Sequence, residues 1–259
     1  MQSSELLSLY DAQMRIGLHL PDSVFETTAR VVRDRDLGEN VGFIDYASLD
    51  ETCADEEINS QIDYFRALNM PFTWKVYDHD LPADLRQRLV ARGFKIDDPS
   101  TLMVLDLQNA PDLFNETQNP ERIQRITDEA GIEGIIRVEE EVYQSSRPRL
   151  RQRLLHLHCT HPELLSLYGA VIDQRVVSAA WIIFYKDTQF ASLLGGATLP
   201  EHRSHGYYTA LLVARAREAL ERDVRFLAVD ASPMSAPILE KHGFQALGQT
   251  TYCRWSHKN

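Results

Sequence analysis

Residues 195–212 read Gly-Gly-Ala-Thr-Leu-Pro-Glu-His-Arg-Ser-His-Gly-Tyr-Tyr-Thr-Ala-Leu-Leu. The pattern is a strand end, a polar turn with glycine at 206, and then an amphipathic helix. Such a turn brings several backbone N–H groups to one point at a helix N-terminus, where the helix dipole favours an anion. Gly206 lacks the Cβ that would hinder close approach, and Arg203 adds a charge suited to phosphate. The chemistry this spacing offers is phosphate or pyrophosphate binding. An ordinary strand-to-helix turn that uses glycine for a positive φ has the same local pattern, so the segment alone leaves both readings open.

The elements that must position this turn alternate along the second half of the chain. Arg122–Thr127 alternates like a strand, and 129–143 carries helical spacing at Ile132, Ile135, Ile136, Val138 and Val142. Segments 165–173 and 175–185 read as two strands joined by a tight turn at Asp173-Gln174. A third strand, 189–198, leads into the polar turn. A helix over 208–222, a buried strand over 225–230, a short helix over 235–242 stopped by Gly243 and a strand over 250–255 complete the half. Strands interleaved with helices predict a mixed α/β sheet.

Composition sets the outer bounds. The 259 residues are 44% apolar and 25% charged, with 12 Gly and 11 Pro, which excludes collagen-like, coiled-coil and wholly disordered chains. The longest nearly apolar run, 176–185, is broken by Ser178 and is far short of the roughly 20 residues a membrane span needs. No basic start followed by an apolar run is visible, and Cys53, Cys159 and Cys253 follow no disulfide spacing. A cytoplasmic protein without membrane contact is the expectation. Charge is divided unevenly: residues 1–118 hold 22 acidic against 10 basic side chains, and the remainder 16 against 17. Such a chain lacks the basic face of a nucleic-acid binder, and the asymmetry suggests two units. The Asn-, Gln- and Pro-containing stretch 108–120 reads as the linker between them.

The first half repeats the second weakly. Ala47-Ser-Leu-Asp-Glu51 corresponds to Ala197-Thr-Leu-Pro-Glu201, Ala67-Leu68 to Ala219-Leu220, the strand 72–78 to 224–230, and Gly93-Phe94 to Gly243-Phe244.

The spacing Arg203-x-x-Gly206-x-Tyr208 resembles the pyrophosphate-binding motif of the GNAT (GCN5-related) N-acetyltransferases, Gln/Arg-x-x-Gly-x-Gly/Ala. The strand and short helix that end in Gly243-Phe244 are similar to the family's next element. The resemblance covers about residues 120–256, and the first half looks like the degenerate amino-terminal copy of a tandem GNAT protein. It implies an α/β GNAT fold in two copies: a degenerate domain over 1–107, the linker 108–120 and a catalytic domain over 121–259. It also implies acetyl-CoA as cosubstrate and no metal. The cofactor would be held by Ala197 and Thr198 at a bulged strand, by Arg203, Ser204, His205, Gly206, Tyr207, Tyr208 and Thr209 in the loop, and by Ser232.

The implied reaction is direct attack of a primary amine, of a small molecule or a peptide, on the thioester. It needs an oxyanion-stabilising N–H and a base. Asp230, at the end of the buried strand, is the candidate base, with capping of the following helix as its ordinary alternative. Tyr252 and Glu201 are weaker candidates. The sequence departs from the family in three places: Tyr208 replaces Gly or Ala, Ser232 replaces a frequent Asn, and Leu239 replaces the frequent general-acid Tyr. Leucine cannot protonate the departing thiolate, which leaves room for a CoA-binding but catalytically silent sensor or interaction module. In the first half Cys53-Ala-Asp-Glu56 and Glu57 stand where Arg203-Ser-His-Gly206 stands in the second, so copy one should repel a pyrophosphate. Monomer and homodimer both remain open.

Two other clusters stand out. His156-x-His158-Cys159-x-His161 has metal-ligand residue types, and on a strand His156 and His158 would share a face. A solvated loop and a lining of the acceptor site are the alternatives. Arg147, Arg149, Arg151 and Arg153 alternate with other residues and read as a solvated basic edge.

Overall fold

The computed structural model describes residues 2–115 and 120–257. Positions 116–119 of the expected linker lie outside the described residues. The chain is mixed α/β and forms two compact units. One comprises Met1–Met103, Asp230–Ile238 and Gln245–Asn259; the other comprises Val104–Val229 and Leu239–Phe244. Among the described residues no helix is long and apolar enough to cross a membrane.

In the first unit, helix α1 (Ser3–Tyr10) runs into a π-helical turn over Asp11–Ile16. Strands β1 (Ser23–Thr27), β2 (Val31–Asp36) and β3 (Val41–Ala47) pair antiparallel. Helix α2 (Ala54–Ala67) then connects β3 to β4 (Phe72–Tyr77), which pairs parallel to β3. Helix α3 (Leu85–Ala91) and the short β5 (Lys95–Ile96) follow, and the last strand, β12 (Gln245–Trp255), pairs antiparallel with β4 over Thr250–Trp255. The core is aromatic: Phe65 stacks on Phe72 at 4.3 Å beside buried Trp74, Ile44 and Leu89. Arg15, 2% exposed, anchors the π-helical turn by donating to both Asp80 oxygens, at 2.8 and 3.0 Å, and to Asp11 at 3.0 Å.

In the second unit, β7 (Ile123–Ile126), β8 (Leu165–Ile172), β9 (Arg175–Phe184) and β10 (Phe190–Thr198) pair antiparallel. Strand β11 (Phe226–Ala231) lies parallel to β10. The β8–β9 turn is the expected one: Asp173 and Gln174 have φ of 47° and 62°, the left-handed pair that a two-residue hairpin requires. Helix α4 (Glu129–Tyr143) starts where Asp128 accepts the Gly131 N–H at 2.8 Å, and it buries Ile132, Ile135, Ile136 and Val138 against the sheet. Helix α6 (Tyr207–Glu221) connects β10 to β11. Strand β6 covers Ser100–Asp106 and helix α7 covers Ala236–Lys241.

One element overturns a sequence expectation. Residues Pro148–Thr160 form helix α5, with proline at its first turn and Leu154 buried. The arginines read as a solvated edge therefore sit on a helix, where Arg149 and Arg151 are exposed and Arg151 turns back to Glu133. His156 and His158 lie two apart on a helix, roughly 200° around its axis, and share no face. No group of three His, Cys, Asp or Glu arranged to hold a metal ion occurs among the described residues.

Candidate functional site

The ladder between β9 and β10 slips between Gly195 and Ala197, so Gly196 is the extra residue of a β-bulge. Gly195 and Gly196 have φ of 72° and 86°, and their neighbours leave little room. A Cβ on Gly195 would lie 2.5 Å from the Trp181 ring, and one on Gly196 3.0 Å from the Tyr208 ring. Beyond the bulge the strand is pinned through Ser178, which is fully buried. Its hydroxyl donates to the Ala197 carbonyl at 3.1 Å and lies 2.7 Å from the Thr198 hydroxyl. The parallel ladder with β11 runs from Phe190↔Phe226 to Ser192↔Ala228, whereas the antiparallel ladder with β9 continues to Thr198. The bulge therefore lies on a stretch of β10 past the end of its parallel ladder. Gly195→Ala should cost about 2–4 kcal/mol from left-handed strain plus the collision with Trp181, read as a lower urea midpoint.

Past β10 a short turn, Pro200–His202, leads into the loop. The Arg203 Nε donates to the Thr198 carbonyl at 3.2 Å, which ties the loop to the end of the bulged strand. Ser204 and Gly206 have φ of 63° and 77°, and the His205 Nδ1–H closes the turn on the Arg203 carbonyl at 2.7 Å. Helix α6 then begins at Tyr207, whose ring stacks near His205. Its first helical bond runs from the Ala210 N–H to the Gly206 carbonyl at 2.9 Å. The N–H groups of Gly206, Tyr207 and Thr209 have no acceptor inside the helix. No side chain caps this end and no acidic residue lies in its first turn. Arg203, Ser204 and His205 are exposed. The result is an electropositive helix start without a carboxylate of its own. Tyr208 does not crowd it, because its ring lies over Gly196 and uses the space that the absent Cβ leaves. The Thr209 hydroxyl lies 3.3 Å from His242 Nε2.

Helix α2 in the first unit begins differently, with its start already filled. Asp50 Oδ1 accepts from the Thr52 N–H at 2.8 Å, the Thr52 hydroxyl at 2.6 Å and the Cys53 N–H at 3.0 Å. The Thr52 hydroxyl, the Cys53 side chain and the two backbone N–H groups together pull the Asp50 carboxyl down to about 2. Asp55, Glu56 and Glu57 add further negative charge to the first turn of α2. An incoming anion would meet four carboxylates there.

Asp230 and Tyr252 come together in the first unit. Asp230 Oδ2 accepts from Lys75 Nζ at 2.7 Å and from the Tyr252 hydroxyl at 2.8 Å, and Oδ1 accepts from the Thr250 hydroxyl at 3.3 Å. Burial would raise the Asp230 carboxyl, but Lys75 and these hydrogen bonds outweigh it and hold the group below the ordinary range. Burial would likewise lower Lys75, yet Asp230 and the surrounding phenols Tyr10, Tyr252 and Tyr77 keep it well above its usual value. Tyr252 is raised, by burial first and by Asp230 after the opposing effect of Lys75. A carboxylate engaged in three hydrogen bonds, with its proton affinity lowered, is a weak base.

The remaining candidates lie apart from these groups. Ser232 is exposed at the head of α7, where its hydroxyl accepts the Ser235 N–H at 3.2 Å. Leu239 is 1% exposed in the core, and Glu201 is exposed in the turn before the loop. Cys53 and Cys253 are buried, and burial pushes the Cys253 thiol up to about 11, far from a nucleophilic thiolate.

No family model and no curated protein sequence matches the chain. Solved structures do. A GCN5-related N-acetyltransferase from Kribbella flavida superposes with a TM-score of 0.65 at 12% identity, covering 99% of this chain and 95% of that one. The fold is that of the GCN5-related N-acetyltransferases. A functionally unknown conserved protein from Staphylococcus epidermidis superposes with a TM-score of 0.67 at 13% identity over 96% of this chain and 98% of its own. A tandem GNAT protein from the clavulanic acid biosynthesis pathway follows, with a TM-score of 0.60 and 15% identity over 99% and 96%. On this acetyltransferase fold the bulge and the uncapped α6 lie on the two sides of the loop in which the sequence resembles the pyrophosphate motif.

Three side chains that matter to this geometry escape a reading by motif. Ser178 carried a signal, since a serine inside an apolar strand must find a hydrogen-bond partner. Arg215 carried one too, as a cation between Leu211 and Ala219 on the buried stripe of α6. Lys75 carried none; its partner is 155 residues away.

Proposed function

We propose that the chain is an acetyl-CoA-dependent N-acetyltransferase with one working site, in the second unit, and that its acceptor is a primary amine. The observation that carries this reading is the start of α6: uncapped, free of acidic residues, preceded by left-handed Ser204 and Gly206 and flanked by Arg203. N–H groups at this turn would bind the CoA pyrophosphate, as helix N-termini bind phosphate generally. In this reading the bulged strand at Ala197 and Thr198 aligns the pantetheine and gives the thioester carbonyl a hydrogen-bond donor. The amine nitrogen attacks the carbonyl carbon, the C–S bond breaks and CoA leaves as thiolate, so Leu239 is compatible with turnover. Water takes the amine's proton in this reading. This reading does not use Asp230 as the general base, since its carboxylate is already engaged by Lys75, Tyr252 and Thr250.

The first unit we read as a degenerate copy. It has the same order of a bulged antiparallel strand, helix, parallel strand and short helix. Gly93 and Gly243 also end their helices alike, with φ of 89° and 88°. Phe94 N–H bonds Leu89 O at 3.2 Å, and Phe244 N–H bonds Leu239 O at 3.1 Å. Its carboxylate-filled α2 start argues that it binds no CoA.

Calorimetric titration with acetyl-CoA, followed by thiol release across a panel of small amines and lysine peptides, tests the proposal. Saturable binding with one equivalent and amine-dependent thiol release is the expected result. Absence of binding by the folded protein would overturn it.

A further inference from the structure

Arg215 is 3% exposed, yet among the described residues every hydrogen bond it makes goes to a backbone carbonyl. Its Nε donates to Leu211 on its own helix at 3.0 Å, and its Nη1 donates to Trp181 at 3.2 Å and to Leu194 at 3.3 Å. Trp181 and Leu194 face each other across β9 and β10, one residue pair before the ladder slips at Gly196. Glu218, almost one turn further along α6, does not neutralise it. That carboxylate is bound by Ser166, Tyr168, Arg222 and Arg125. Burial pulls the guanidinium down to about 10, and the phenols of Tyr208 and Tyr168 oppose this, so the group stays cationic at neutral pH.

A buried cation without a carboxylate partner is a costly way to hold a helix on a sheet, and an apolar side chain would fill the same place at lower cost. Its geometry provides what an apolar side chain cannot: a directional, charge-assisted link from α6 to both strands at one defined pair. Arg215 lies seven residues after Tyr208, two turns and about 10 Å along α6. Tyr208 in turn rests on the bulge residue Gly196. One helix therefore touches the bulged strand at two places, one just before the slip in register and one at the bulge residue itself.

We propose that Arg215 is a positioning residue for acyl-CoA: by locking α6 to the Trp181–Leu194 pair it sets the spacing between the bulged strand and the α6 N-terminus. This rests on the acyl-CoA reading of the loop, because the two places whose spacing it sets are those proposed to hold pantetheine and pyrophosphate. A residue that only stabilised the fold would lower the melting temperature and leave ligand affinity alone.

The test compares wild type, Arg215→Met and Arg215→Lys by acetyl-CoA titration and by hydrogen exchange of the amides from Gly195 to Leu199, at a temperature where all retain the wild-type circular dichroism. Arg215→Met should weaken acetyl-CoA binding at least tenfold and speed exchange across the bulge at least tenfold. Arg215→Lys keeps the charge but loses the planar fork, so it should fall between the two, and it decides the matter if the methionine variant does not fold. Wild-type affinity and exchange in the variants, whatever their melting temperatures, would overturn the proposal. Failure of the wild type to bind acetyl-CoA would instead remove the functional reading, and the exchange data would still show whether Arg215 locks the bulge.

Discussion

A chain carrying Arg203→Glu together with Gly206→Glu is expected to lose acetyl-CoA affinity by at least a hundredfold while keeping its fold. Gly206 has φ 77°, where a side chain with a Cβ costs about 1–2 kcal/mol, and the strain is relieved by moving the first turn of α6. Moving that turn misaligns N–H groups whose bonds to a charged phosphate are each worth about 1.5–3 kcal/mol. The two glutamates add like charge where the pyrophosphate would sit, and they rebuild in α6 the acidic helix start seen at Asp55, Glu56 and Glu57 of α2. Arg203 is exposed, so the loss of stability should be limited to about the 1–2 kcal/mol of strain at position 206. Calorimetric titration beside circular dichroism checks both halves of the expectation. Retained binding in the folded variant would show that the loop does not hold the cofactor.

Lys75→Met is expected to destabilise the protein by about 2 kcal/mol at neutral pH, since it leaves the partly buried Asp230 without its cation. Asp230→Asn in the same chain should recover most of that loss, because an amide costs less to bury than an unpaired carboxylate. The pH dependence has a definite sign. In the wild type the Asp230 carboxyl is lowered, so its contribution is present above the usual carboxylate pKa and is lost as pH falls through the folded value. In Lys75→Met only the Tyr252 and Thr250 hydrogen bonds oppose burial, so that pKa rises relative to wild type. The variant should then gain stability relative to wild type as pH falls from 7 toward 5 and the carboxyl takes up its proton. Lys75 itself is raised, so its contribution is present below its ordinary pKa and lost only in strong alkali. Urea unfolding of the single and double variants at pH 5 and 7 measures this. A single-variant loss below 1 kcal/mol, equal at both pH values, would show that the pair does not stabilise the fold.

Much of the second unit was legible because its signals are local. The period of apolar residues in 129–143 marks α4 to the residue, and the Asp173-Gln174 turn needs nothing beyond the two flanking strands. The loop from Arg203 to Gly206 could be read because its special backbone positions coincide with small residues. Helix α5 was not legible: arginines alternating with Leu150 and Leu154 mimic a half-exposed strand. What makes it helical is the burial of Leu154 in the core that α4 helps to form, a contact between elements.

What the sequence determined by itself is the class of fold and the place of the strand–turn–helix loop, since periodicity, turn chemistry and a glycine ahead of a helix act within a few residues. Tertiary structure alone decided the partners. Lys75 lies opposite Tyr252 on β12, and both side chains donate to Asp230, which makes an expected base a paired carboxylate. Tyr208 fits because Gly196 bulges beneath it, and Arg215 finds its carbonyls on strands from another part of the chain. The physical reason is range: a pKa, a buried charge and a collision depend on what lies within a few ångströms, and sequence spacing does not measure that distance.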